Sequence, residues 1–489
     1  MDAAPEQKTF GQKLQERIAQ SRFFTFSLLL HVVIVVLGGS VVLFHRMEDA
    51  PDFTSEGGGL MSSDVSVQPP AEQPPDLSQQ QNVTPEAPSI TAPTVSAITT
   101  NATNNTAFQM ASIPVPVKTI VGDVKNLADT SKAMSKNAGK GFPSAMGGRM
   151  GGTARGMAMK DKGGKDKSEK AVMLGLKWLK EHQKEDGSWS DEHKPGMTGL
   201  ATLCFLGHGE LPESSEFGPT VKKALDWMLA RGAEFQGRMS LTQGNFGSQP
   251  AVYEHAIVTY AMGEYYSMTK DERFAELLKQ AVGYIVQGQN SLGGWDYHYD
   301  KGPRNDLSVA GWQIQALKAA HLTGLGIPGV DEALDKSMGF IKKWQGNEGG
   351  FGYTGPENRL SLTGVGVLCT YFWKESKDRT VKEGIDFLLG KTEVDAKGRL
   401  QYKGGKSPAD LYGWYYDTQA CLMFGGSAWQ KWNKMFQDEI VENQSPDGSW
   451  PPTAGAHFQP KPDGAGPYYR TTLCVLMLEV FYRYMPINK

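Results

Sequence analysis

Four short stretches concentrate the side chains of this chain that could handle a ligand: Tyr253, Glu254 and His255; Asp306, Ser308 and Trp312; Trp414, Tyr415, Tyr416 and Asp417; and Tyr468, Tyr469 and Arg470. Each sits at the start of a strongly apolar stretch. A fold that gathers those starts at one end makes a mouth of aromatic rings with a few ionisable groups, the composition of a ligand pocket. The acids have a second use, because Asp306 can cap a helix and Asp417 can satisfy backbone donors. None of these residues is assigned as catalytic, and no cofactor or metal is expected. The other dense acids, Asp331, Glu332 and Asp335 with Asp438 and Glu439, fall on amphipathic stretches whose charged sides read as solvated faces. Cys204, Cys369, Cys421 and Cys474 recur at similar offsets inside four apolar stretches. Packed helices lie ~8–10 Å apart, whereas a disulfide needs Cα atoms within about 7 Å, so these thiols read as small buried hydrophobes.

Ser27 and His31 form a separate pair. They lie four apart within Phe23–Phe44, a run of 22 residues without a formal charge, long enough to cross a hydrocarbon core of ~30 Å as a helix. An ionisable group at that depth is costly and usually faces a partner or a proton path. Lys8, Lys13, Arg17 and Arg22 precede the run, while His45 and Arg46 and then Glu48, Asp49, Asp52 and Glu56 follow it, so the Lys/Arg bias favours a cytoplasmic N-terminus. The rest of the chain then lies outside the cytoplasm, in the periplasm if the cell has two membranes.

The remaining composition limits the function classes. The chain has 489 residues, 39% apolar and 21% charged, with a formal net charge of −3. A wholly disordered or collagen-like chain is excluded, as is a disulfide scaffold, and the charge balance gives no reason to expect nucleic-acid binding. Residues 1–22 read as a cytoplasmic segment, 23–44 as a transmembrane helix and 45–167 as a disordered linker. Pro, Ser, Thr, Gln and Asn dominate much of that linker and leave little apolar surface to offset backbone ordering. Its Gly- and Lys-rich end contains no G-x-x-x-x-G-K-[ST], so it reads as a basic linker rather than a phosphate loop.

Residues 168–489 repeat with a period near fifty. Each unit pairs a one-sided helix, such as the one with Ala171, Leu174, Trp178 and Leu179 on its apolar face, with a helix apolar on nearly every side. A Gly-aromatic turn joins them: Gly187-Ser188-Trp189, Gly244-Asn245-Phe246, Gly293-Gly294-Trp295, Gly349-Gly350-Phe351, a weaker Leu400-Gln401-Tyr402, and Gly448-Ser449-Trp450. Six half-exposed and six buried helices fit two concentric rings, an all-α α/α toroid of about six outer/inner pairs. An open solenoid would need polar end caps, and the last stretch, TTLCVLMLEVFYRY, is as apolar as the interior ones.

Trp178-Leu179, Gln183 and Asp186-Gly187-Ser188-Trp189 resemble the QW repeat of squalene-hopene and oxidosqualene cyclases. The pattern recurs at Gln444 with Asp447-Gly448-Ser449-Trp450, and more weakly at Gln289 and Gln345. The layout of anchor, linker and toroid resembles membrane-tethered prenyltransferase/squalene oxidase repeat proteins of planctomycete-like bacteria. The S-x-x-x-H spacing of the anchor resembles TonB-type energy transducers, which implies a proton-channel complex as a possible partner. The chemistry of the relatives does not carry over. There is no D-x-D-D to protonate an alkene. Where protein prenyltransferases place zinc ligands, this chain has Tyr412, Trp414 and Arg470. No C-G-E-Q thioester motif surrounds any cysteine.

The expectation is a single-pass protein of a bacterial inner membrane whose periplasmic toroid binds a hydrophobic, glycan or peptide ligand in an aromatic-lined central cavity. The expected ligand-binding residues are Tyr253, Glu254, His255, Asp306, Trp312, Trp414, Tyr415, Tyr416, Asp417, Tyr469 and Arg470. Two alternatives stand beside it. One is a terpenoid- or isoprenoid-active enzyme using Asp306, Asp417 or Glu254 as a non-standard acid. The other is a scaffold or effector coupled through Ser27 and His31 to a TonB-type complex.

Overall fold

The alternation of one-sided and wholly apolar stretches resolves into two rings of helices. The computed structural model describes residues 144–149, 151–240, 246, 249–373, 378–396, 400–403, 411–451 and 465–483. The stretch 23–44, with Ser27 and His31, and the linker as far as residue 143 lie outside the described residues. Among the described residues no helix is long and apolar enough to cross a membrane.

After a short helix α1 (Gly152–Lys162), the outer ring comprises α2 (Asp166–Glu181), α4 (Gly218–Glu234), α6 (Ala275–Gly288), α8 (Val330–Lys343), α10 (Arg379–Gly390) and α12 (Gly426–Glu442). The inner ring comprises α3 (Lys194–His208), α5 (Gln249–Thr269), α7 (Leu307–Leu322), α9 (Leu360–Phe372), α11 (Leu411–Phe424) and α13 (Gly466–Leu478), followed by one turn, α14 (Val480–Arg483). Each inner helix packs on the next, and α13 returns to pack on α3, so the ring closes. Inner helices are buried on all sides, as in α3 from Pro195 to His208. Outer helices bury one stripe. In α2 that stripe is Ala171, Val172, Gly175, Leu176, Trp178 and Leu179, while the Leu174 side chain, expected on the apolar face, is 42% exposed. All four cysteines are buried.

The repeated turn explains how the rings lock. At four seams one glutamine carboxamide donates twice: Gln183 to Gly187 and Thr220, Gln289 to Gly293 and Ala333, Gln345 to Gly349 and Thr380, and Gln444 to Gly448 and Ala171, all at 2.7–3.0 Å. The first bond closes the unit's own turn, and the second reaches a carbonyl of the following outer helix. For Gln444 that helix is α2, so the same device closes the circle. The indoles of Trp189, Trp295 and Trp450 donate to Leu179, Ile285 and Ile440, each ten residues earlier, which pins these three turns to their own outer helices. Gly448 shows why glycine is needed here. Its φ is +95°, and a Cβ there would lie 2.3 Å from the Leu174 carbonyl oxygen.

Two units depart from the pattern. In the fifth, an antiparallel pair, β1 (Thr392–Val394) and β2 (Leu400–Tyr402), stands where the weak Gly-aromatic copy was read. In the second, His255 takes over the seam. Its Nδ1 accepts the Met239 amide at 3.0 Å and its Nε2 donates to Ala281 of α6 at 2.9 Å.

The folded part begins earlier than residue 168. A 3-10 turn (Ser144–Arg149) and α1 dock on the end of the toroid where the inner helices finish, which corrects the linker boundary at 167. Composition misled because few apolar side chains order this segment. Polar capping does: the Arg149 guanidinium donates to Leu206 and Arg483 carbonyls, and Arg155 to that of His208, all at helix ends.

Candidate functional site

The inner-helix starts converge at one mouth, and the most connected cluster there surrounds Asp306. Asp306 caps α7, its Oδ1 accepting the Ser308 and Val309 amides at 2.9 and 3.2 Å and the Ser308 hydroxyl at 2.6 Å. The Tyr253 and Ser308 hydroxyls lie 2.9 Å apart. A 3-10 turn (Tyr297–Tyr299) bends back over this point, with His298 and Tyr299 both at positive φ. It sets the Tyr297 hydroxyl against that of Tyr353. Arg304, on the exposed loop before α7, pairs with Asp296 and reaches Asp306 Oδ2 at 3.3 Å. Its guanidinium carbon lies 4.8 Å from the centre of the Tyr297 ring. Burial raises the Asp296 carboxyl, and Asp306 adds to the rise against the opposing Tyr297 amide and Arg304 charge. Burial raises the Tyr253, Tyr297 and Tyr353 hydroxyls too, each with a contribution from Asp306.

Below the mouth, Ser308, Trp312 and Gln315 form one stripe of α7, spaced four and three apart. The opposite side of α7 faces the outer ring, where His321 pairs with Asp331 of α8, while Lys318, on the flank, donates to the Phe372 carbonyl of the neighbouring inner helix α9. The stripe faces the axis. Trp312 and Gln315 are fully buried, yet the indole Nε1 and both carboxamide atoms of Gln315 have no hydrogen-bond partner among the described residues. Tyr416 of α11 reaches past α9 to α7, its hydroxyl 3.1 Å from where a Cβ on Gly311 would stand.

The other expected residues scatter. Glu254 faces His193 at 3.5 Å. His255 is the seam residue described above, turned outward and structural. Trp414 packs on Trp432 of the outer ring, and Arg470 donates to the Trp450 carbonyl at 2.8 Å. Asp417 lies against the backbone of α9, with Oδ1 2.3 Å from a hypothetical Cβ on Gly364. The Tyr415 hydroxyl accepts from Arg483 at 3.4 Å, toward the far end of the ring. Tyr469 is buried, and Tyr468 is half-buried beside Trp178.

Sequence reasoning missed the far end. Arg149 and Arg483 share Glu264, at 2.7 and 3.4 Å, with all three side chains essentially unexposed. Tyr260 donates to the same carboxylate. Beside them a cavity of about 240 Å³ is lined by Arg155, Glu169, His208 and Glu210 among others. His208 is held between Glu210 at 2.7 Å and Glu169 at 3.2 Å. Burial and Arg155 act to lower its pKa, but the two carboxylates outweigh them and raise it. Burial alone would raise Glu169, yet its His208 and Arg155 contacts bring it down to about 2. Among the described residues no group of three His, Cys, Asp or Glu is placed to hold a metal ion.

The two buried histidines give stability opposite pH dependences. Burial lowers His255 from 6.5 to about 4, so the unfolded chain takes up a proton first as pH falls, and stability declines between those values. His208, with a raised folded pKa, contributes fully below 6.5 and loses its contribution as pH rises through the folded value. From pH 7 to pH 5 the wild type should lose more stability, or gain less, than a His255→Gln variant, the difference in urea midpoints being equivalent to on the order of 2 kcal/mol. Equal losses in both proteins would remove His255 from the seam.

No protein-family model and no curated protein matches this chain. Among solved structures it is similar to an inactive variant of the α-1,6-mannanase GH76A of Salegentibacter in complex with α-1,6-mannotriose. The TM-score is 0.48 and the identity 12%, over 65% of this chain and 99% of that one. It is also similar to a variant of the type II terpene cyclase MstE from Scytonema in complex with geranylgeranyl dihydroxybenzoate, with a TM-score of 0.44 and 12% identity, over 65% of this chain and 97% of that one.

Proposed function

We propose that this protein is a membrane-tethered binding protein whose toroid, held outside the cytoplasm by the 23–44 span, takes a polar ligand through the mouth at the inner-helix starts. One observation carries the reading: the axis-facing indole N–H of Trp312 and carboxamide of Gln315 are fully buried and lack a partner among the described residues. A buried polar group left unmatched costs about 1–3 kcal/mol, so a fold that keeps three such atoms together on one stripe favours a use for them. A wholly hydrophobic ligand would leave them unmatched. A peptide or a glycan brings both acceptors for the indole and donors for the amide. Tyr253 and Ser308 continue the polar stripe to the mouth.

The test uses the full chain purified from the membrane fraction and examined by native mass spectrometry. The wild type should carry an adduct that the Trp312→Phe/Gln315→Leu double variant lacks. Gln315→Leu alone should raise the unfolding free energy by about 1–2 kcal/mol, because the unmatched amide is removed at nearly constant volume. An adduct retained by the double variant, or a wild type that carries none, overturns the reading. Recovery of the chain only in the soluble fraction overturns the tether.

A further inference from the structure

We infer that the cluster at the mouth is a cation-binding cage for a guanidinium group, and that Arg304 occupies it as an internal, displaceable stand-in. The inference rests on the reading that ligands enter at this mouth, and it names the chemistry recognised there.

The cage is an aromatic and acidic enclosure. Asp296 and Asp306 form its floor, both buried, and Tyr297 and Tyr353 form its walls, with their hydroxyls joined. Tyr253 stands behind them, its ring 6.2 Å from that of Tyr297. A guanidinium is the cation such a site suits best: it is planar, it pairs with two carboxylates at once, and it stacks on an aromatic face. Arg304 makes these contacts, pairing with Asp296 and Asp306 while stacking on Tyr297.

Two features mark Arg304 as a movable occupant. Its side chain is 40% exposed while those of its partners are 9% or less, so it can leave without unpacking anything around it. It also lies in an exposed run, Asp300–Arg304, between the 3-10 turn and α7. The carboxylates, by contrast, are fixed. Asp306 is the cap of α7, and Asp296 accepts the Tyr297 amide at 2.8 Å. Charge points the same way, since two carboxylates face one guanidinium and an entering cation meets a site that keeps a net negative charge. The other cation near the walls, Arg359, lies 5.9 Å from the Tyr353 ring and pairs with Glu357.

An internal occupant lowers the apparent affinity for an external one by the fraction of time the cage is open. Arg304→Ala should raise the affinity for N-acetyl-arginine amide at least roughly tenfold over the wild type, measured by titration calorimetry on the full chain. The neutral citrulline analogue should bind neither protein. Asp306→Asn, which keeps the helix cap because asparagine caps as well as aspartate, should abolish the gain when added to Arg304→Ala. Comparing free methylguanidine with a Gly-Arg-Gly peptide then separates a small guanidino compound from a peptide arginine as the source. The proposal is overturned if folded Arg304→Ala protein shows no gain, if citrulline amide binds equally well, or if Asp306→Asn leaves the gain intact. Circular dichroism confirms folding, and Arg304→Gln serves as the second variant. These results do not depend on Trp312 or Gln315, so an arginine-binding cage with no hub adduct would refute the hub reading while leaving the cage standing.

Discussion

Replacing Glu264 with alanine is expected to destabilise the toroid by about 3–5 kcal/mol, because it leaves the Arg149 and Arg483 guanidiniums buried without the carboxylate they share. The loss should not be confined to the global transition. Arg149 belongs to the segment that precedes the rings, so the variant should release α1 and expose Lys160, Lys162 and Lys165 to trypsin before the toroid itself unfolds. Glu264→Gln keeps the shape and removes only the charge, and it should reproduce most of the effect. A variant with wild-type urea midpoint and trypsin resistance would show that the ionic cluster contributes nothing to closing this end. Glu479 adds a secondary signature. Burial holds its carboxyl well above the usual range, and the Arg483 and Arg149 charges oppose that rise. With Glu264 gone, those charges have no better carboxylate, and the Glu479 pKa should fall.

The second large effect concerns ring closure. Gly448→Ala is expected to cost about 2–4 kcal/mol. The positive φ contributes about 1–3 kcal/mol of strain for a residue with a Cβ, and the clash with the Leu174 carbonyl pulls Gln444 away from Ala171. This seam joins the sixth unit to the first, so its loss should convert a single unfolding transition into one with an early opening step, visible as enhanced hydrogen exchange in α2 and α13. Gly283→Ala is the control. Gly283 lies inside α6 with nothing within 4 Å of a Cβ, so alanine there should be neutral or stabilising by up to about 1 kcal/mol. If the two variants behave alike, the turn glycine is not what closes the ring.

The architecture was legible because it is written in repetition. A Gln followed by a Gly-aromatic turn recurs wherever a carboxamide must bridge two carbonyls and a glycine must pass under the next outer helix, so the motif spacing reports the seam geometry directly. Residues that act once left no such trace. His255 was read as a mouth ligand because of its place next to Tyr253 and Glu254, yet one step along a helix turns a side chain by about 100°, and it faces the outer ring. The same rotation separates Tyr416, whose hydroxyl reaches α7, from Asp417, which lies against the backbone of α9.

Arg149, His208 and Glu169 were invisible for a different reason. They lie far apart in sequence, and a Gly- and Lys-rich stretch carries no sign that its arginines cap distant helix ends. Tyr297 was missed because a turn with two left-handed residues folds it back over Asp306, where it meets Arg304 from the following loop and Tyr353 from the next unit, a reversal that composition does not announce. Trp312 and Asp306 stand out in the sequence as an aromatic and an acid at a helix start, but what distinguishes them, an unmatched indole in one case and a shared guanidinium in the other, belongs to the packed structure.

Whether the hub and its mouth hold a ligand decides the binding role. The most direct measurement is a high-resolution structure of the full chain purified from its native cells, at the axis beside Trp312 Nε1 and Gln315. A molecule larger than water, hydrogen-bonded to both side chains, is the predicted result. Water alone at those atoms, or a Gln315 carboxamide turned onto a backbone carbonyl, would contradict it.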